Sequence, residues 1–443
     1  MTENYNGNRI NSRKIGLVIT TSLVIGNMIG SGIFSLPASL ARYGGISIVG
    51  WLITGTGAML LAIVFGRLSR MMPRTGGPFV YTKEGYGDFI GFLVAWGYWI
   101  SVMIGNAAIA VSFSGYMSVF FPALAGSGMG SALVAIGAIW LLTFLNTRGV
   151  RSGGQVQLVT TILKIAPLLV ISIVGIFYLD PGHFVPFNLS EKSGSGAIAS
   201  VITLTLWALL GMESATIPAE NIKEPRKTIP SAILIGTSAT VFIYLVGSIS
   251  VMGLVSPHLL VNSSAPFADA ASILWGDTGR YIVGFGAVMA TFGALNGWIL
   301  IQGQMPMAVA NAGMFPPVLG RKSKRDVPVT ALVFSSVIVT IAVLLNFSKG
   351  LADMFTFLIL LSTLTVLIPY LFSSLAEVLI LSKNKPENWR KQVLRSLTTG
   401  IPAFGFSLWA IYGSGSEIVF YGFLLLMSGI PFYVWAKIHI FLK

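Results

Sequence analysis

Gly26-Asn27-Met28-Ile29-Gly30-Ser31-Gly32-Ile33-Phe34 lies in the middle of an apolar segment that otherwise reads as one membrane helix. Three glycines fall within seven positions, 26 to 32, with a serine between the last two. Each glycine costs about 1 kcal/mol against alanine in a helix interior. In a bilayer the freed N–H and C=O groups also have no water to bond, so irregular backbone persists there only where it is buried in protein or lines a cavity. Two readings follow. The glycines let another helix approach closely, or the helix is interrupted to hold something polar. A second interrupted segment in the other half of the chain favours the interruption.

The composition sets the class. Of 443 residues, 54% are hydrophobic and 10% charged, against about 25% charged in soluble domains. This is an all-α integral membrane protein, with room for about twelve spans of ~20 residues each and none for a large soluble domain. Cysteine is absent, and His183, His258 and His439 are scattered, so no metal centre is expected. The first apolar run is too long and too well continued for a cleaved signal.

The apolar segments read as helices over about 15–41, 46–68, 86–118, 129–147, 155–179, 197–220, 229–254, 279–311, 328–346, 352–381, 398–413 and 416–437. Residues 1–14 form a polar tail, and 255–278 is a loop with room for a short helix. With the N-terminus in the cytoplasm and the spans alternating, all but five of the 28 Lys and Arg fall inside: the exceptions are Arg42, Lys164, Lys192, Arg280 and Lys349. That satisfies the positive-inside rule with both termini cytoplasmic. The net charge of +13 is therefore topology, and nucleic acid is dropped as a partner.

Gly30-Ser31-Gly32-Ile33-Phe34-Ser35-Leu36-Pro37 and Gly211-Met212-Glu213-Ser214-Ala215-Thr216-Ile217-Pro218 each run from glycine to proline over the same distance. The first lies in helix 1 and the second in helix 6, which has the opposite orientation. Such a pair points to an inverted-repeat transporter, with residues 15–179 and 197–381 as two five-helix repeats and 398–437 as helices 11 and 12. Half-helix N-termini near the midplane offer N–H groups and a positive dipole end to a carboxylate. Carbonyls at the opposite ends can accept from an ammonium.

The stretches GNMIGSGIFSLPASLA (26–41), YWISVMIGNAAIA (98–110), LWALLGMESATIPAENIKEPRKTIP (206–230), GWILIQGQ (297–304) and AGMFPPVL (312–319) resemble the basic amino acid/polyamine antiporter group of the amino acid–polyamine–organocation superfamily. The likeness is strongest to its arginine/agmatine exchangers and covers essentially the whole chain. It implies the leucine-transporter-type fold, with helices 1 and 6 broken and two extra C-terminal helices. It places the substrate's carboxylate and amino group at Met28, Gly30, Ser31 and Gly32 and at Trp207, Leu210 and Gly211. Asn106 and Ser362 match polar side chains that contact substrate in that group. Ser101 and Val102 depart from the small residues expected at the distal end of the pocket, which weakens the inference to arginine. The resemblance also admits a homodimer, although no dimer surface stands out.

Trp207 and Trp298 lie near mid-helix rather than at the interfaces where tryptophan collects. They serve either bundle packing or, as the resemblance implies, an aromatic wall for a cation. Two charges, Glu213 and Lys164, lie deep within spans, and such residues mark function by default. Glu213 either complements a cationic substrate or accepts from loose backbone N–H groups. Lys164, where the arginine exchangers carry a small neutral residue, holds helix-1 carbonyls as a metal cation would, carries a coupling proton, or snorkels to the surface.

The expected function is secondary transport of an amino acid in a bacterial inner membrane, by alternating exchange of cationic amino acids or amines, with membrane lipid as surroundings. No cofactor and no enzyme activity are expected. The alternative is a proton-coupled permease for neutral amino acids. A membrane sensor or channel is the alternative of another class, and neither a signalling domain nor a pore-lining repeat supports it.

Overall fold

A computed structural model describes residues 15–74, 76–124, 127–148, 164–216, 219, 222–323, 325, 327–346 and 351–441. Apart from the isolated bridge between Ile15 and Ile222, the regular structure of these residues is helical. Eight helical segments are long and apolar enough to cross a membrane, and shorter apolar helices accompany them.

The opening stretch is interrupted. Helix α1 (Leu17–Met28) ends at Ile29, which has extended backbone, and α2 (Ser31–Ala41) starts after Gly30 at φ −153°, ψ −137°. The glycines serve both readings. A Cβ on Gly30 would stand 2.7 Å from Ala294 Cβ, and one on Gly32 would stand 2.7 Å from Ala208 Cα. The break therefore depends on close approach as well as on backbone freedom.

The next helices are α3 (Ile46–Met71), α4 (Pro78–Tyr86), α5 (Asp88–Met117), α6 (Gly128–Thr147) and α7 (Lys164–Gly175 within the described residues). Helix α8 (Gly194–Ala208) stops at a second interruption, Leu209 to Gly211, followed by a 3-10 turn over Met212–Thr216. Then come α9 (Pro225–Leu254), the short α10 (Pro257–Leu260), α11 (Pro266–Asn311), α12 (Val329–Asn346), α13 (Leu351–Asn384), α14 (Trp389–Gly413), α15 (Ser416–Met427) and α16 (Ile430–Phe441). Helix α5 is the buried centre and packs on α13, α11 and α6; α1 packs on α9, and α2 on α8 and α11.

Several boundaries differ from the sequence reading. The loop expected before 86 holds α4, because Pro78 after Gly76-Gly77 starts a helix instead of ending one. The helix expected over 197–220 stops at Ala208; Ile217, Pro218, Glu220 and Asn221 lie outside the described residues. Helix α11 begins at Pro266 and bends at Trp275 and Gly276, where φ is +62° at the glycine. Helix α14 starts at Trp389, so Arg390, Lys391 and Arg395 sit on a helix rather than in a loop.

Three of the cations that broke the charge rule have local partners. Arg42 pairs with Asp353, Arg280 lies 3.8 Å from Asp269, and Lys192 Nζ donates to Ser200 Oγ at 2.7 Å. Lys164 is fully buried, and Lys349 lies outside the described residues.

Gly32→Ala is expected to lower stability by about 1–3 kcal/mol through overpacking against the α8 backbone. Gly137→Ala, where a methyl meets nothing within 4 Å, is expected to be neutral or slightly stabilising. Thermal unfolding of the detergent-solubilised variants compares them.

Candidate functional site

A helix leaves its last four carbonyls without intrahelical partners. In α1 each of them is satisfied. The Ile25 carbonyl accepts from Ile29 N at 2.8 Å. Lys164 Nζ donates to the Gly26 and Ile29 carbonyls, both at 2.7 Å. Trp298 Nε1 donates to the Asn27 carbonyl at 3.3 Å and Tyr244 Oη to the Met28 carbonyl at 2.5 Å. Lys164 is 0% exposed, so it does not snorkel; its ammonium closes the end of α1. The negative end of the helix dipole faces that cation.

The start of α2 is the opposite case. No side chain caps it, and Gly30, Ser31 and Gly32 line a cavity. That end carries the positive pole of the helix dipole beside the cavity. The rest of α2 is packed against its neighbours: all its residues are buried, Ser35 bonds Ser112 at 2.5 Å, Ser39 bonds Thr356 at 2.6 Å, Tyr116 Oη donates to the Phe34 carbonyl at 2.5 Å, and Arg42, just past its end, meets Asp353.

The second interruption lies directly against the first. Gly211 has φ +101°, and a Cβ there would stand 3.2 Å from Trp298 and 3.4 Å from Asn27. Both conformation and space therefore demand glycine. Glu213, two residues on, is fully buried and accepts three bonds: Tyr98 Oη at 2.8 Å, Tyr370 Oη at 2.7 Å and Gly211 N at 3.2 Å. It acts as an acceptor for the broken backbone while still lining the cavity.

Around the cavity the structure brings together Met28, Gly30, Ser31 and Gly32 from the first break, Trp207, Leu210 and Glu213 from the second, Ser101 and Val102 from α5, Trp298 from α11 and Ser362 from α13. Gly211 supports this wall from behind. Two expected residues stand apart from it. Lys164 lies behind α1, and Asn106 is set back, its Nδ2 donating to Gln302 Oε1 at 2.7 Å and its Oδ1 buried without a partner. Tyr98, Tyr370 and Tyr244 were missed by the sequence reading. A tyrosine in an apolar helix looks like any packing aromatic, and only the fold shows what its hydroxyl meets.

The chain matches the Amino acid permease family over residues 15–437. It is 34% identical over 436 residues to the putrescine transporter PotE of Haemophilus influenzae, covering 98% of this chain and 99% of the relative. It is 33% identical to the putrescine transporter PotE of Escherichia coli K12, over 95% of this chain and 96% of that one. The cadaverine/lysine antiporter of the same organism is 33% identical over 82% of each chain. Matches of this extent, on a helical frame with two interruptions facing one cavity, show that the chain belongs to the amino acid permease family, in its basic amine and polyamine antiporter group, and is an integral membrane transporter rather than an enzyme.

Proposed function

We propose that the chain exchanges a cationic amino acid for an amine across a bacterial inner membrane by alternating access. The observation that carries this is the meeting of an uncapped helix N-terminus with two tryptophans and a carboxylate in one cavity. In this reading the N–H groups of α2 and the Ser31 hydroxyl hold the substrate's carboxylate. The α-ammonium goes to the α8 end near Ala208 to Leu210, because the α1 carbonyls are already taken by Lys164, Trp298 and Tyr244. Trp207 and Trp298 face the cationic part of the substrate, a contact worth about 2 kcal/mol when desolvated.

The broader architecture belongs to the same proposal: about twelve spans, an inverted five-plus-five repeat carrying the two breaks, and both termini in the cytoplasm. The names of the relatives favour a primary amine with its parent amino acid; arginine with agmatine is the narrower alternative. Lys164 supports a second reading, a proton-coupled permease for neutral amino acids, because its ammonium occupies the α1 end as a coupling cation would. A homodimer remains part of the proposal, without a surface assigned to it.

Purified protein in liposomes tests the exchange. Labelled lysine, arginine and alanine are offered to vesicles preloaded with 1,4-diaminobutane, 1,5-diaminopentane, agmatine or nothing, with and without a pH gradient. Uptake of a cationic amino acid that requires an internal amine is the expected result. Alanine uptake driven by the pH gradient into empty vesicles would sink the exchanger in favour of the permease.

Lys164→Met is expected to leave two buried carbonyls unpaired, at a cost of about 2–6 kcal/mol. Thermal unfolding should show the loss, and exchange at saturating substrate should fall at least about tenfold as the α1 end loosens. A variant with wild-type stability would mean that those carbonyls find other donors.

A further inference from the structure

A second cavity lies at the Ser118 end of α5, where the chain passes from α9 into α11. Its volume is about 470 Å³, and none of the residues around it lines the central cavity. Pockets of ~300–1,000 Å³ suit small organic molecules. Asp269 and Arg280 stand in its wall, with Ser118, Asn262, Ser263 and Ser264 adding uncharged polar groups. In the orientation proposed above, this cavity opens on the outer face.

The charged pair is a product of the bend in α11. In a straight helix, residues 269 and 280 would be about 16 Å apart along the axis. The bend at Trp275 and Gly276 brings Arg280 Nη2 to 3.8 Å from Asp269 Oδ1. That is an ion-pair distance, too long for a hydrogen bond. Asp269 Oδ2 accepts from Ser263 Oγ at 2.5 Å, while its Oδ1 accepts no hydrogen bond among the described residues. Arg280 donates no side-chain hydrogen bond among those residues, and its Nε is buried without a partner. A guanidinium has five N–H donors in a fixed fork. The bend has therefore brought two half-buried opposite charges together and left both with hydrogen bonds to make.

We propose that this cavity is a second binding site, which takes the backbone end of a free α-amino acid. The carboxylate accepts from the Arg280 guanidinium and the ammonium donates to Asp269 Oδ1, both in charge-assisted hydrogen bonds. One carbon joins the two groups of an α-amino acid, which suits a cation and an anion 3.8 Å apart. A primary amine has nothing to offer Arg280 and brings it a like charge. The site thus separates an amino acid from the amine left when its carboxylate is removed. Phe267, on the same segment as Asp269, packs edge-on against Phe34 of α2 at 5.3 Å, and its N–H donates to Tyr116 Oη at 3.2 Å. A ligand that ties Asp269 to Arg280 braces the segment lying on α2. The inference goes beyond the exchange reading and makes no use of its central cavity.

Equilibrium dialysis of the purified full chain against labelled lysine and labelled 1,5-diaminopentane, which is lysine without its carboxylate, tests this. At saturation the wild type is expected to hold one lysine more per chain than diaminopentane. Arg280→Gln and Asp269→Asn should each weaken that additional lysine at least about tenfold and leave diaminopentane binding within about twofold. Equal saturation by the two ligands in the wild type overturns the proposal, and that comparison needs no variant to fold. So does an additional lysine that binds unchanged in folded Arg280→Gln. Failure of the exchange reading looks different: diaminopentane then does not bind at all, while the lysine that does bind is still lost from Arg280→Gln.

Discussion

A helix that stops inside an apolar medium must find donors for its last carbonyls from the protein itself, because the bilayer supplies none. At α1 that requirement draws on three other helices. Lys164 of α7, Tyr244 of α9 and Trp298 of α11 each send a donor to the same turn, and the backbone N–H of Ile29 supplies the remaining bond. The break is thus an assembly point. Each partner is locked by what it bonds there: Tyr244 is also packed edge-on against Trp51, and Trp298 lies against Gly211 of the second break.

The second break is satisfied by the opposite charge. Glu213 takes the N–H of Gly211 and two tyrosine hydroxyls, from α5 and α13. A buried cation closes one interruption and a buried carboxylate closes the other. Both would be expensive in hydrocarbon, and here Lys164 has two carbonyl partners and Glu213 three donors. Among the described residues, the start of α2 has no side-chain cap. The site is therefore the place where the backbone was not completed, and its polarity follows from which end was left.

The breaks were legible because glycine and charge are costly in a membrane helix, so Gly30, Gly32, Lys164 and Glu213 had to be explained. The residues that complete the site were not, because their sequence cost is nil. Tyr98, Tyr244 and Tyr370 sit comfortably in apolar helices, and the carbonyl or carboxylate each meets comes from a distant element. Helix starts were misread for a related reason. Pro78 and the Arg390 to Arg395 run carry loop composition, yet proline suits a first helical turn and an amphipathic turn tolerates charge where it emerges from the bundle. Asn106 was singled out by the resemblance alone, and the sequence gives no sign that its Nδ2 donates to Gln302 of α11.

For exchange, the seal along α2 has to be strong enough to hold and weak enough to release. Polar contacts tie α2 and its C-cap to their neighbours: Ser35 to Ser112, Ser39 to Thr356, Phe34 to Tyr116 and Arg42 to Asp353. At a net 0.5–1.5 kcal/mol each, such bonds amount to roughly 2–6 kcal/mol. A ligand that moves a two-state protein from one state to the other must supply about 5.5 kcal/mol of differential binding. The two magnitudes are comparable. In the proposed reading, a substrate whose carboxylate engages the head of α2 would pull on the same helix that carries these contacts, so its binding energy would be applied where the conformational equilibrium is decided.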